Sequence, residues 1–190
     1  MPPHADLLLE ERILKAAQKL WRTRGERGLT LRAVAREAGS TTPTVYKRFR
    51  NKQAILNTLA LRIRAQLNEY LFASASIEEV CAHYLKFADE HPHEYQLLLH
   101  YWGDIFHPGQ PRPGRAWLMA QFAKRFGGDP EDYARPVYAL FLLSHGAATL
   151  LSIPADELSR QELRSNFLAI ADTIVREPQA FFEHTAASKG

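Results

Sequence analysis

Apolar positions recur along this chain with a helical period. The sharpest instance is Leu31, Val34, Ala35 and Ala38, at i, i+3, i+4 and i+7, which line one face of a helix that Thr30 can cap. Gly39 stops it, because the residue just past a helix end often takes the left-handed conformation that glycine adopts without steric cost. Thr41 is a good N-cap for the next helix, with Thr42 and Pro43 in its first turn, where the N–H that proline lacks is no loss. At about 100° per residue, Val45 and Phe49 share one side, bordered by Tyr46 and Thr42. Pro43, Thr44, Lys47 and Arg48 face the other way. Asn51 then caps a further helix, whose positive dipole end beside Lys52 would attract a phosphate.

The same reading covers the rest. A first helix is predicted from Leu7 to Arg24, with Asp6 as its cap and Ile13, Leu14, Ala17, Leu20 and Trp21 as its buried stripe; Gly25 and Gly28 end it. The helix from Lys52 runs on to about Phe72 without a Gly/Ser-rich tether, so a soft boundary falls near Thr58, giving domains 1–57 and 58–190. Ser76 with Glu79 forms a capping box for Ile77 to Glu90, and Pro92 starts a short helix to Trp102. Residues 103–114, rich in Gly and Pro, read as a loop, followed by a helix from Arg115 to Phe126. Asp129 with Pro130 opens a helix to about Ser152 that is apolar around most of its circumference, and Ser159 with Glu162 reads as a capping box for a helix to Arg176. Pro178 and Phe181-Phe182 suggest one last short element before a loose tail. The fold class is therefore all-α, an N-terminal three-helix domain built around a helix-turn-helix plus a larger C-terminal helical domain, with about nine or ten helices in total.

That last long helix carries two stripes: Leu163, Phe167, Ile170 and Ile174 form one, and Leu168, Ala171 and Val175 the other. Two stripes need two neighbours, and a chain of 190 residues has too little surface to bury both. The last two long helices are thus expected to meet their mates in a second copy as a four-helix bundle, through Phe141, Gly146, Leu150, Phe167, Ile170 and Ile174.

Charge changes the picture most. Through Asn57 there are twelve Lys/Arg against five Asp/Glu, a net of +7, whereas the remainder carries twelve basic against sixteen acidic residues, a net of −4. A module this cationic supplies the salt-sensitive part of affinity for double-stranded DNA. The polar face of the second short helix suits a DNA major groove. The candidate DNA contacts are Thr30, Arg32, Thr41, Thr42, Pro43, Thr44, Tyr46, Lys47, Arg48 and Lys52.

Residues 13–56, with Gly28 and Thr30 before the second helix, Ala38-Gly39, Thr44-Val45-Tyr46, Phe49, and Lys52 with Ile55-Leu56, resemble the DNA-binding domain of the tetracycline-repressor (TetR) family of transcriptional regulators. The resemblance implies that Tyr46 and Lys52 contact phosphates and that Thr42 to Thr44 and Lys47 approach bases. Pro43 departs from the small residue more usual there, so an apolar contact, for instance to a thymine methyl, is expected from it. His145-Gly146, within about twenty apolar residues, is also similar to a His-Gly pair in the eighth helix of some of these regulators. What the family implies is a repressor released from a palindromic operator by a small molecule; an activating or architectural protein of the same fold stays open.

Composition gives only a hint of that effector. Tyr84, Phe87, Tyr101, Trp102, Trp117, Phe122, Tyr138 and His145 lie on the helices that would surround a pocket, which suits an apolar or aromatic molecule, but the same residue types make ordinary core. His91, His93, His100 and His107 lack the regular ligand spacing of a zinc site, so no metal is expected. There is no nucleophile elbow, phosphate-cradling glycine loop or paired carboxylate in an apolar context, which leaves little for a helical enzyme and gives no cofactor. No stretch approaches the ~20 apolar residues of a membrane span, the N-terminus does not read as a secretory signal, and Cys81 is the single cysteine, so a cytoplasmic protein is expected.

Overall fold

The computed structural model describes residues 4–101, 112–153 and 155–182, and among them every regular element is helical. In chain order these are α1 His4–Gly28, α2 Leu31–Glu37, α3 Thr42–Arg48, α4 Lys52–Phe72, α5 Ile77–Glu90, α6 Pro92–His100, α7 Pro113–Phe126, a 3₁₀ turn Pro130–Tyr133, α8 Ala134–Leu151, α9 Glu157–Arg176 and a 3₁₀ turn Pro178–Phe181. They fall into two compact units, the described residues of Met1–Gln66 with His91–Gln110, and those of Leu67–Glu90 with Pro111–Gly190. Residues 1–3, His107, most of the expected 103–114 loop and the tail after 182 lie outside the described residues.

In the first unit α1 packs on α2 and α6, and α2 on α3. The stripe predicted for α1, Ile13, Leu14, Ala17, Leu20 and Trp21, is buried together with Val34, Ala35, Val45, Phe49, Ile55, Leu56 and Leu59. The α1–α6 seam also carries polar chemistry. Trp21 Nε1 donates to the His93 carbonyl oxygen at 2.5 Å, and His93 Nδ1 lies 2.8 Å from the Arg22 carbonyl oxygen. Glu94, only 1% exposed, accepts from Gln18 Nε2 at 2.8 Å and from Arg22 Nε and Nη2 at 3.2 and 3.1 Å. Burying a carboxylate without such partners would cost several kcal/mol.

In the second unit α8 packs on α9 and α5, and α9 on α5. Phe122, Tyr133, Val137, Leu140, Ala147, Leu151, Phe167, Ala171, Ile174 and Val175 fill its core. Asp89 on α5 ties down α9, pairing with Arg160 and accepting from Arg164 Nη2 at 2.6 Å. Cys81 is buried here, and that burial pushes its thiol up to about 12, which keeps it from ionising.

The capping of α9 corrects the sequence reading. Its N-cap is Asp156, whose carboxylate accepts from the Ser159 backbone N–H at 3.0 Å, while Ser159 Oγ donates to the other carboxylate oxygen at 2.7 Å. Ser159 therefore sits inside the first turn as a donor, since an acid three residues earlier is the stronger acceptor for the free amides. Ser76 does cap α5, accepting from Glu79 N–H at 3.1 Å, and Glu79 answers by accepting from Ala75 N–H.

Candidate nucleic-acid interface

The turn between α2 and α3 is fixed at both ends. Thr30 Oγ1 accepts from Ala33 N–H at 3.1 Å and starts α2. Gly39, at φ +62°, ends it: its own N–H bonds the Arg36 carbonyl oxygen at 3.2 Å, and Ser40 N–H bonds that of Ala35 at 2.9 Å. This is the paired arrangement of a Schellman motif, which needs a left-handed residue at that position. Thr41 Oγ1 then accepts from Thr44 N–H at 3.3 Å, and the two threonine hydroxyls share a 2.7 Å hydrogen bond. Asn51 Oδ1 accepts from Ala54 N–H at 2.9 Å and caps α4. Each such cap is worth roughly 1 kcal/mol.

The two faces of α3 are divided as the periodicity requires. Val45 is fully buried and Phe49 nearly so, which docks the helix, whereas Pro43, Tyr46 and Lys47 stand exposed on the far side. Thr42 and Thr44 are half-buried at the N-terminal end. Thr30, Arg32 and Thr41 are exposed, with both threonines spending a side-chain oxygen on capping.

Ion pairs sort the cations into two groups. Lys52 Nζ donates to the Glu26 carbonyl oxygen at 3.3 Å and pairs with the Glu26 carboxylate at 3.5 Å. Arg48 is clasped by Glu10, Nε at 2.7 Å and Nη2 at 2.5 Å from the same carboxylate oxygen. Lys19 pairs with Glu37 and Arg62 with Glu11, and in each case the hydrogen bond from the cation holds the carboxyl below its ordinary value. Arg32, Lys47 and Arg50 make no ion pair among the described residues, so their charge is turned to solvent on and beside α3.

The aromatic residues singled out in the sequence divide between the units. Tyr101 belongs to the first, where its hydroxyl accepts from Gln53 Nε2 at 2.5 Å and it lines a cleft of about 190 Å³ with Trp21, Glu26 and His100. In the second, Tyr84 and His145 are brought together, with 2.6 Å between the hydroxyl and Nδ1, and Phe141 stacks on the His145 ring at 4.7 Å. Burial drives the His145 pKa down to about 4, so the imidazole is neutral near pH 7. Tyr138 stacks on Phe141 yet is 55% exposed. Phe122 is wholly buried against Phe126 and Tyr133, Trp117 packs on Phe72, and Phe87 is half-buried. Trp102 lies outside the described residues.

The residues expected at a seam between copies also divide. Gly146, Leu150 and Ile170 are exposed and Phe141 is half-buried, but Phe167 and Ile174 spend their surface inside the unit. Tyr138 and Leu142 extend the exposed stripe along α8. Glu94 and Glu10 are the residues the sequence reading passed over. Their partners, Arg22 and Arg48, lie 72 and 38 positions away in sequence, beyond the reach of any local pattern.

Two short helices about a Schellman turn, the second presenting an exposed face of Pro43, Tyr46 and Lys47, define an all-helical protein of the helix-turn-helix class with a DNA-binding fold. Residues 13–59 match the sequence model described as bacterial regulatory proteins, tetR family. The match takes in the helix-turn-helix module and the start of α4, about a quarter of the chain. Over 68 residues it is 37% identical to the class D tetracycline repressor protein of Escherichia coli and, to the same degree, to the class H protein of Photobacterium damsela subsp. piscicida. That similarity takes in 36% of this chain and 31% of each relative, so the chain matches about a third of the length of these curated relatives.

Likeness of fold reaches further. A TetR transcriptional regulator from Streptomyces coelicolor superposes with a TM-score of 0.67 at 20% identity, over 92% of this chain and 99% of that one. A variant of TetR from Acinetobacter baumannii AYE, solved in complex with minocycline, superposes with a TM-score of 0.63 at 16% identity, over 90% and 97%. At these identities the likeness is one of architecture.

Proposed function

We propose that the protein is a homodimeric, sequence-specific transcriptional repressor that leaves a palindromic DNA operator when a small molecule binds its second unit. The observation that carries the reading is the division of α3, with Val45 fully buried while Pro43, Tyr46 and Lys47 face solvent beside the exposed Arg32 and Arg50. A helix held that way enters a major groove with its N-terminal residues at base edges, and its neighbours' cations meet phosphates. On this reading Pro43, Thr44 and Lys47 read bases, with Thr42 beside them, whereas Tyr46 and Lys52 hold the backbone. The tetR module argues for regulation, and the relatives named as tetracycline repressors favour repression.

Support for a dimer comes from the stripe Tyr138, Leu142, Gly146 and Leu150 on α8 with Ile170 on α9, apolar residues left exposed at about half their surface. Such a stripe covered by its copy would set two α3 helices to meet successive major grooves about 34 Å apart. Support for an apolar or aromatic effector comes from the Tyr84–His145–Phe141 cluster, which offers ring faces with a neutral hydrogen-bonding handle, and from the minocycline complex of the A. baumannii protein. The test is selection from a random duplex library, followed by titration of the selected duplex across a range of salt. A palindromic consensus with a steep salt slope is expected; binding without sequence preference would overturn the reading.

A further inference from the structure

We infer that Arg48, although it ends the recognition helix, makes no contact with DNA and is instead a positioning residue, set through Glu10 to fix how α3 is presented. The inference rests on the proposal that α3 reads DNA. Three observations carry it. Both Nε and Nη2 of Arg48 point at one Glu10 oxygen, at 2.7 and 2.5 Å, so the guanidinium is aimed at α1. The two side chains keep only 23% and 33% of their surface in solvent, which strengthens the pair over an exposed one. Among the described residues the neighbouring Lys47 makes no ion pair, and it is exposed, so consecutive cations on a seven-residue helix have opposite tasks.

The physical need is rotational. Val45 and Phe49 fix the inner face of α3, but two apolar side chains alone give a seven-residue helix no directional tie against rolling about its axis. A charge-paired tie at the C-terminal end removes that freedom, and it ties α3 to α1, the helix on which α2 also packs. Arg48 also sits at the negative end of the helix dipole, where a cation is favoured. Neutralised by Glu10, it adds little to the field that attracts phosphates. Glu10 thereby withholds a cation that would otherwise bind any sequence alike.

The experiment uses the full-length protein, the duplex that the wild type selects and a scrambled duplex, each titrated over a range of salt. Glu10→Gln should weaken the selected duplex by about fivefold to tenfold while tightening the scrambled one and steepening its salt slope by about one, because Glu10 then no longer offsets the Arg48 charge. Arg48→Gln should weaken the selected duplex by a similar factor with its salt slope unchanged. The charge-swapped pair, Glu10→Arg with Arg48→Glu, should return the selected duplex to within about twofold of wild type. Thermal melts of each variant report folding, and the swap decides the matter where a single variant melts early. If Arg48→Gln lowers the slope by about one and Glu10→Gln tightens both duplexes, Arg48 is a phosphate contact and the inference is overturned. A folded swap as weak as Arg48→Gln overturns it too. A wild type that selects no duplex sinks the DNA-binding reading and this inference with it, whereas a wild type that binds beside an unrescued swap sinks the inference alone.

Discussion

Glu94, on α6, lies almost wholly out of solvent with its two carboxylate oxygens facing Arg22 of α1 at 3.1 and 3.2 Å. Arg22 itself is half in water, its side chain 54% exposed. Removing it leaves a buried negative charge with only Gln18 and the edge of His91 for company. Arg22→Ala is expected to cost about 2 kcal/mol, below the full penalty for an orphaned buried ion because its partner was partly solvated. Glu94→Gln, which keeps hydrogen bonding without the charge, should cost less. Urea unfolding checks this, and equal losses in the two variants would show that charge does not matter at the seam.

Two glycines should separate backbone strain from crowding. A Cβ at Gly39 would meet nothing within 4 Å, so Gly39→Ala bears only the left-handed backbone penalty of about 1–2 kcal/mol. A Cβ at Gly28 would fall 2.2 Å from Arg24 Cβ, which forces the end of α1 to move. Gly28→Ala should therefore lower the melting temperature more than Gly39→Ala, and the reverse order would contradict this account of the turn.

The residues proposed to face DNA should differ in kind. Lys52→Ala and Tyr46→Phe are expected to weaken binding to all duplexes alike, the first lowering the salt slope by about one. Thr44→Ala and Lys47→Ala should instead change which sequence is preferred, with about 1–3 kcal/mol of discrimination lost at the bases concerned. Repeating the library selection with each variant measures this directly.

Acid should loosen the second unit through His145. Its folded pKa of about 4 lies below the ordinary 6.5, so the unfolded chain takes up the proton first. Stability is complete above pH 6.5 and declines as pH falls toward 4, at up to about 1.4 kcal/mol per pH unit and about 2 kcal/mol in all, given partial solvent access. Glu11 is held below 4.5 by its hydrogen bond from Arg62, and Glu78, although burial pushes it up, is held below 4.5 by that from Arg125, so both begin to lose their contribution as pH falls past 4.5. Comparing melts of wild type and His145→Gln between pH 7 and 4 should show the difference between them shrinking; parallel curves would rule the imidazole out as the source.

On α8 and α9, exposed and buried apolar residues should fail differently. On the proposed pairing of two copies, Leu142→Glu and Leu150→Glu are expected to leave a lone protomer by gel filtration with its helical content kept. Phe167→Ala, which opens a hole in the unit's core, should cost about 3–5 kcal/mol of folding stability. Unchanged elution of both glutamate variants would move the seam elsewhere.

What could be read from residues alone was local. Thr30, Gly39, Thr41 and Asn51 act within four positions of their partners, so spacing suffices to place both short helices and the turn between them. Ser159 misled for the same reason: Asp156 has an equal claim three positions earlier, and the more strongly accepting carboxylate wins. Periodicity likewise revealed two stripes on α9 but not that Phe167 and Ile174 turn toward the unit's own core while Ile170 turns out. Arg48 looked like one more outward cation because Glu10 is close only after folding, and the burial of Glu94 is equally a product of tertiary packing.

Trp21, whose indole is sunk in the first unit with its N–H committed to the His93 carbonyl oxygen, is also a built-in optical gauge of that seam. An indole so enclosed emits toward the blue, and parting α6 from α1 would strip it of both cover and acceptor. With Trp102 and Trp117 replaced by phenylalanine, fluorescence at a single wavelength would therefore follow the spacing of these two helices in real time, with no dye attached.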